Sequence, residues 1–230
     1  VESHPLPQDV RDKLTSTHPA QMGKMDGVAN EDIAISTRIF TRKGCQDIVR
    51  AAFEYAQKFG YKSVTVVEKP NVVRETSGLM VREARKIARD YPGIELWETN
   101  IDAMCMWLVK NPEDYGVLVA SNMFGDIVSD LCAQLVGGLG FACSGNIGDK
   151  VAVFEPSHGS APKYVGMNKV NPIAMILSAK MMLDHLGEVE MARKLEDAVA
   201  AVIAEGQART YDMGGSTTTT EMAEAISAKI

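Results

Sequence analysis

The chain has 230 residues, of which 46% are hydrophobic, and its formal net charge is −6. This length and apolar content predict a globular protein with one large domain or two modest ones. A negative balance without a basic run argues against nucleic acid or an acidic membrane surface as a partner, and no apolar run is long enough to cross a bilayer, so small molecules fit better.

The first thirty residues carry prolines and glycines among polar side chains, which predicts an extended arm or loop with a short amphipathic piece near Val10 to Leu14. Beyond them, short β-branched runs alternate with patterns of helical spacing. The predicted strands are Asp32 to Phe40, Lys62 to Val67, Ile94 to Glu98, Tyr115 to Ala120 and Val151 to Phe154. The predicted helices are Lys43 to Phe59, Glu75 to Asp90, Asp102 to Lys110, one that contains Asp126, Pro172 to Leu186, Val189 to Glu205 and Glu221 to Lys229. The alternation predicts an α/β architecture.

A glycine-rich segment, Val136 to Asp149, contains no persuasive helix, so we expect the chain to cross from one domain to another there. The four cysteines lie in apolar segments without Cys-x-x-Cys spacing, at Cys45, Cys105, Cys132 and Cys143. They argue against a zinc site and are typical of reduced cysteines in a cytoplasmic protein.

Two carboxylates, Asp126 and Asp130, follow an apolar run at a spacing of four residues. On a helix they share a face, where they could supply oxygen ligands to Mg²⁺ or Mn²⁺. The alternative is that Asp126 stabilises the first turn of the helix and Asp130 faces solvent. Asp102 begins the preceding helix, where its simplest role is a helix cap, although a third carboxylate would complete the cluster.

Lys69 directly follows a buried strand, and Pro70 keeps the chain extended behind it. A lysine at the end of a buried strand is a candidate for proton transfer, and the alternative is a surface lysine that packs its stem along the strand end. The small-residue loop from His158 to Tyr164 lets backbone amides approach a ligand, although these residues taken alone favour a polar surface loop. It lacks the Gly-x-Gly-x-x-Gly pattern of an ordinary dinucleotide site.

Several stretches together resemble the isocitrate and isopropylmalate dehydrogenases, a family of metal-dependent β-decarboxylating dehydrogenases. The similarity runs from about Ile35 to the C-terminus, and Asn122 to Phe141 resembles the family's signature almost position by position. The other matching stretches are Arg42 to Gly44, Glu68 to Val72, Asn146 to Asp149, Phe154 to Pro162, Asn171 with Pro172, Ile176 to Ala179 and Asp212 to Gly215. Because these motifs occur in the right order, coincidence does not explain them.

The resemblance implies the two-domain fold of this family, in a homodimer with shared active sites. Residues 1–136 would form the small dimerisation and metal-binding domain with its arm, and 137–230 the C-terminal part of the large, dinucleotide-binding domain. Asp126 and Asp130 would bind Mg²⁺ or Mn²⁺, and Asp102 from a second copy would join them. Lys69 and Asp102 would be catalytic, with Lys69 transferring a proton and Asn71 near the substrate or nicotinamide. The residues implied in cofactor binding are His158, Gly159, Ser160, Ala161, Pro162, Lys163, Tyr164, Asn171, Tyr211 and Asp212.

Nothing in Val1 to Asn30 matches the substrate-binding arginines and catalytic tyrosine that the family carries in its N-terminal portion. We therefore expect the N-terminal part of the large domain to be absent and the 230-residue chain alone to lack dehydrogenase activity. The implied reaction is oxidative decarboxylation of a 2-hydroxy acid, with isocitrate first and isopropylmalate, homoisocitrate or tartrate as alternatives. A non-catalytic regulatory subunit, or an inactive fragment, is the competing interpretation.

The choice between NAD and NADP rests on a few side chains. Lys163, Tyr164 and Tyr211 resemble the 2′-phosphate-binding residues of NADP-using bacterial isocitrate dehydrogenases. The arginine expected a few residues later is replaced by Met213, Gly214 and Gly215, as in NAD-using relatives. The balance slightly favours NADP.

Overall fold

A computed structural model describes residues 2–230 as strands and helices connected mostly by short loops. The strands are β1 (Glu2–Ser3), β2 (Ile35–Ser36), β3 (Ser63–Glu68), β4 (Glu95–Asn100), β5 (Val117–Ala120), β6 (Cys143–Ile147) and β7 (Ala152–Pro156). The α-helices are α1 (Gln8–Thr17), α2 (Pro19–Met22), α3 (Arg42–Phe59), α4 (Thr76–Ile87), α5 (Ile101–Lys110), α6 (Asn122–Leu135), α7 (Ile173–Leu186), α8 (Val189–Glu205) and α9 (Thr219–Ser227). From α3 onward the predicted elements are confirmed, with ends shifted by a few residues.

A three-stranded parallel sheet in the order β4-β3-β5 forms the centre of the first half of the chain. Every residue of β3 is buried, because β4 and β5 flank it and the helices α3 and α4 pack nearby. A central strand covered in this way reads as a continuous β-branched run, which is the pattern from Val64 to Val67. The carboxyl ends of the three strands lie at one edge, where Lys69 and Ser121 follow β3 and β5.

The first thirty residues are largely helical, so the prediction of an extended arm or loop was wrong. Pro7 directly precedes α1 and Pro19 occupies the first position of α2, two places where proline is compatible with a helix. Leu6, Met22 and Ile33 form a small buried cluster that holds these helices together. The prolines therefore mark where helices begin.

The predicted strand from Asp32 to Phe40 was also largely wrong. Only β2 pairs, in antiparallel register with β1, and Asn30–Asp32 form a 3₁₀ turn. A strand extends only as far as its partner, and β1 has two residues. The apolar residues beyond β2 include Ile39, which is 75% exposed, so the apolar spacing there did not reflect a buried strand face.

The last third of the chain combines an antiparallel hairpin, β6 with β7, and the helices α7 to α9. Its core contains Ile173 from α7, Val199 and Val202 from α8, and Met222 and Ile226 from α9. Strand β6 lies in the glycine-rich segment for which no regular element was predicted. A Cβ on Gly145 would lie 3.1 Å from the Phe154 ring, so this glycine marks a close approach within the hairpin.

The chain separates into two compact units, the first containing 1–100 with 115–121 and the second containing 101–114 with 122–230. These units do not coincide with the predicted domain boundary between residues 136 and 137, which stays a prediction. Within residues 2–230 no helix is both long and apolar enough to cross a membrane. All four cysteines are free.

Replacing Phe53 with alanine tests the core of the first unit. Phe53 is fully buried in α3 and stacks on Tyr91 with ring centroids 5.0 Å apart. We expect Phe53→Ala to lower the free energy of unfolding by about 3–5 kcal/mol, because the cavity left behind cannot fully collapse. Ile48→Ala on the same helix, where the side chain is half-exposed, is the control and should change it by less than about 0.5 kcal/mol. Urea titration measures both, and equal effects would contradict this description of the core.

Candidate functional site

Asp126 and Asp130 lie one turn apart on α6, and both are exposed. Neither forms an ion pair with any lysine, arginine or histidine in residues 2–230, so both carboxylates are available. The hydroxyl of Ser129, between them in sequence, donates to the Asp126 backbone carbonyl at 3.0 Å. Two carboxylates without an ion pair, on one helix face, fit part of the oxygen ligand shell of a hard divalent cation.

Asp102 lies in the first turn of α5, a helix that packs against α6 in the same unit. Across residues 2–230 no group of three or more His, Cys, Asp or Glu side chains is close enough to hold a metal ion. The two helices also expose large apolar side chains, at Met106 and Val109 on α5 and at Met123 and Ile127 on α6. Exposed apolar surface of this kind is typical of a face that another protein surface covers.

Lys69 is half-buried at the carboxyl end of β3, and Asn71 is exposed in the turn that follows. The residue before Lys69, Glu68, is fully buried and was not singled out from the sequence. Its carboxylate accepts from the Ser77 hydroxyl at 2.6 Å and from the Ser121 backbone N–H at 2.9 Å. The Lys69 backbone N–H donates to the same Ser77 hydroxyl at 3.3 Å. Glu68 therefore fastens the end of β3 to α4 and to the residue after β5, which fixes the backbone that carries Lys69.

A cavity of about 620 Å³ in the second unit gathers most of the predicted cofactor residues. It is lined by His158, Gly159, Ser160, Ala161, Tyr164, Asn171, Tyr211 and Asp212, while Pro162 and Lys163 do not line it. Six further lining residues were not predicted, namely Gln134, Gly137, Gly138, Leu139, Gly140 and Val170. The signal that would have found most of them is the glycine-rich run, which we interpreted as a domain crossing instead.

A hydrogen-bonded group at this cavity holds Asn171 and Asp212 in place. The Asn171 amide donates to Asp212 at 3.0 Å, and its oxygen accepts from the Ile173 backbone N–H at 3.0 Å. The fully buried Thr210 donates its hydroxyl to the other Asp212 oxygen at 2.5 Å. A Cβ on Gly140 would lie 2.6 Å from Asp212, so only glycine fits at this wall without a shift. Both polar side chains are thus oriented by the protein in advance of any ligand.

Tyr164 and Tyr211 meet at the edge of the cavity with ring centroids 5.5 Å apart. A hydrogen bond between their hydroxyls is the main cause of a pKa shift at each residue. It lowers the pKa of Tyr164, to which Lys163 contributes less, and it raises the pKa of Tyr211. The Lys163 ammonium lies 4.9 Å from the centre of the Tyr164 ring. This edge of the cavity therefore presents positive charge and phenolic hydroxyls together.

Comparison with known proteins places the chain in a family. The family model for isocitrate/isopropylmalate dehydrogenase matches residues 10–226. The chain is 48% identical over 195 residues to the 3-isopropylmalate dehydrogenase of Archaeoglobus fulgidus, covering 85% of this chain and 60% of that protein. It is 42% identical over 212 residues to a mitochondrial regulatory polypeptide of the NAD isocitrate dehydrogenase of Dictyostelium discoideum, covering 90% of this chain and 60% of that protein.

A solved structure agrees with this assignment and confirms the predicted fold class. The crystal structure of isocitrate dehydrogenase from Methylococcus capsulatus superimposes with a TM-score of 0.82 at 45% identity, covering 85% of this chain and 58% of that one. The chain thus spans about three fifths of the length of these relatives. It belongs to the isocitrate/isopropylmalate dehydrogenase family of decarboxylating dehydrogenases.

Proposed function

We propose that the chain is part of an NAD(P)-dependent, Mg²⁺- or Mn²⁺-dependent enzyme that oxidatively decarboxylates a 2-hydroxy acid. Two features of one compact unit carry the proposal. The first is the pair of carboxylates on α6 that form no ion pair, and the second is a nucleotide-sized cavity in which Asn171 and Asp212 are already held in place. Isocitrate is the first choice of substrate, because the solved relative is an isocitrate dehydrogenase. Isopropylmalate, homoisocitrate and tartrate are the alternatives.

In this proposal Asp126 and Asp130 hold the metal ion in one protomer of a homodimer, and Asp102 from a second copy completes the carboxylate set. A divalent ion there would polarise the substrate hydroxyl and stabilise the negative charge that develops when CO₂ leaves. The exposed apolar side chains on α5 and α6 support a second copy as the covering surface.

Lys69 is the proton-transfer residue in this proposal, and Asn71 lies near the substrate or the nicotinamide. The Glu68 and Ser77 hydrogen bonds support this role, since they fix the strand end from which the lysine projects. A positioned side chain of this type accelerates proton transfer far more than a mobile one.

The cavity around Asn171 and Asp212 is proposed to hold the adenosine half of the dinucleotide. The Dictyostelium relative is named for NAD, which favours that cofactor. Lys163, Tyr164 and Tyr211 favour NADP instead, because ammonium and phenolic groups bind phosphate well. We propose NADP as the preferred cofactor.

A second candidate function is that of a non-catalytic regulatory subunit, since the Dictyostelium relative is named as regulatory. The presence together of Lys69, Asp102, Asp126 and Asp130 favours the enzyme, because a site that has lost catalysis usually loses such groups. We propose a cytoplasmic location, although the same relative is named as mitochondrial.

Calorimetric titration of the 230-residue chain with 5′-AMP tests the nucleotide site. We expect saturable binding that weakens by at least about tenfold in Gly140→Ala, because the added methyl group displaces Asp212. Gly93→Ala, where a Cβ meets nothing within 4 Å, is the matched control and should bind like the parent. We also expect no NAD(P)⁺ reduction by this chain with isocitrate or isopropylmalate. No 5′-AMP binding would contradict the proposed site, and measurable reduction would contradict the expectation of inactivity.

A further inference from the structure

A cavity of about 170 Å³ lies in the first unit, at the carboxyl ends of β3 and β4. Glu68 ends β3 and Asn100 ends β4, and both line this cavity together with Glu98 and Thr99. In α/β sheets the crevice outside the carboxyl ends of the strands is where ligands bind. The functions proposed above do not use this cavity, and every lining residue of the larger cavity proposed for the dinucleotide belongs to the second unit.

Glu68 brings a buried carboxylate to the wall of this cavity. Its side chain is fully buried, and it forms no ion pair with any lysine, arginine or histidine in residues 2–230. Its two oxygens accept one hydrogen bond each, from the Ser77 hydroxyl and the Ser121 backbone N–H, although a carboxylate can accept about four. Because an ionised carboxylate is costly to bury without a counter-charge, this wall favours a cation beside Glu68.

The second acidic residue at the cavity, Glu98, adds no uncompensated charge. The Arg85 guanidinium donates to both of its oxygens, at 2.7 and 2.6 Å, in a bidentate ion pair. The cavity therefore carries one uncompensated negative charge, that of Glu68. Divalent ions in proteins are usually held by several carboxylates, and no group of three or more His, Cys, Asp or Glu side chains in residues 2–230 is close enough to hold one. A single charge matches a monovalent cation.

Neutral oxygens surround the Glu68 carboxylate in this cavity. Asn100 is the direct neighbour of Glu68 in the parallel register of β3 and β4, so the two side chains lie on the same face of the sheet. Asn100 and Thr99 are half-buried, and neither side chain forms a hydrogen bond with another group in residues 2–230. The apolar side chains of Val66 and Val81 complete the wall. Uncommitted carbonyl and hydroxyl oxygens of this kind can replace the hydration shell of a cation such as K⁺.

We propose that this cavity binds one monovalent cation, K⁺ or NH₄⁺, between the Glu68 carboxylate and the oxygens of Asn100 and Thr99. The bound cation joins the ends of β3 and β4 and so fixes the backbone directly before Lys69, which follows β3. This site goes beyond the function proposed above, because the divalent metal and the dinucleotide are assigned to other residues. K⁺ and NH₄⁺ carry the same charge, and the experiment compares them.

The test replaces tetramethylammonium chloride with KCl or, separately, NH₄Cl around the 230-residue chain. Ionic strength stays constant, so that screening of surface charges does not change. We expect the melting temperature to rise with the concentration of K⁺ or NH₄⁺, because the cation binds the folded chain. Tl⁺ stands in for K⁺, and thallium nuclear magnetic resonance measures its affinity directly. Glu68→Gln keeps the shape of the side chain, removes its charge, and should weaken Tl⁺ binding by about 10- to 100-fold.

Asn100→Ala keeps the test decisive if Glu68→Gln does not fold, since Asn100 is only half-buried. It should weaken Tl⁺ binding by about 2- to 10-fold, the loss expected for a neutral partner. Glu54→Gln, which removes an exposed carboxylate from α3 in the same unit, is the control and should change nothing. Equal melting temperatures in K⁺, NH₄⁺ and tetramethylammonium would overturn the site. Tl⁺ binding that survives unchanged in Glu68→Gln or, where that variant does not fold, in Asn100→Ala would also overturn it.

Discussion

Lys69→Met is expected to lower the kcat of a complete enzyme by about 10²- to 10⁴-fold, the range that a positioned proton-transfer group contributes. The 230-residue chain is expected to be inactive alone, so the measurement needs a chimaera. In it the part of the Archaeoglobus fulgidus 3-isopropylmalate dehydrogenase that the present chain does not match is joined to residues 1–230. The parent chimaera should reduce a nicotinamide cofactor with isopropylmalate.

The matched control is Lys62→Met, which removes an exposed lysine at the amino end of the same strand, β3. It should leave kcat within about twofold, because it lies at the opposite sheet edge from the carboxyl ends where α/β enzymes place their ligands. A parallel loss of activity in both variants would show that the sheet, and not the proton-transfer group, is disturbed. Full activity in Lys69→Met would remove Lys69 from the chemistry.

Glu68 should act on the same reaction only indirectly, because it fixes the backbone that carries Lys69. Its buried carboxylate joins the hydroxyl of Ser77 to the backbone of Ser121, and Ser77 in turn accepts from the Lys69 backbone. Neither partner is near Glu68 in sequence, which explains why the sequence alone did not indicate this residue. The only local sign is an acidic residue that ends a run of buried β-branched side chains.

The parallel sheet and most helices follow from local pattern. In β3 the β-branched run and in α3 the apolar spacing reflect burial directly, so both elements were predicted within a residue or two. The N-terminal arm was mispredicted because Pro7 and Pro19 were interpreted as breakers, although each stands where a helix begins. Local composition did not reveal that Leu6, Met22 and Ile33 cluster and stabilise those helices.

The candidate sites also divide into features that the local sequence predicts and features that only the fold reveals. Asp126 and Asp130 were predictable because their spacing on one helix is a local property. The glycine-rich segment that lines the cavity was interpreted as a domain crossing, because a close approach to Asp212 and a domain crossing both favour glycine.

Asp126→Asn is expected to weaken Mn²⁺ binding by at least about 10- to 100-fold, since even groups outside the ligand shell typically contribute that much. The change keeps the shape of the side chain and removes its charge. Because the carboxylate is exposed and unpaired in residues 2–230, its replacement should not lower the stability of α6. Free Mn²⁺ measured by electron paramagnetic resonance gives the affinity, and circular dichroism checks the fold. Unchanged Mn²⁺ affinity would exclude Asp126 as a ligand.

The central claim is that two copies of the chain build one metal site, with Asp126 and Asp130 from one copy and Asp102 from the other. Mixing by joint unfolding and refolding tests it directly. Asp102→Asn and Asp126→Asn homodimers should each lack an intact site, whereas a mixed dimer contains one site with all three carboxylates. Random exchange should therefore restore about a quarter of the parent Mn²⁺ sites, because half of the dimers are mixed and each has one intact site of two.

The control is a mixture of Asp126→Asn with Asp130→Asn, whose mixed dimers contain no intact site because both residues belong to the same copy. The measurement is the number of Mn²⁺ sites in the two mixtures by electron paramagnetic resonance. We predict recovery to about a quarter of the parent value in the first mixture and none in the second. No recovery in the first mixture, or equal recovery in both, would contradict a site shared between two copies of the chain.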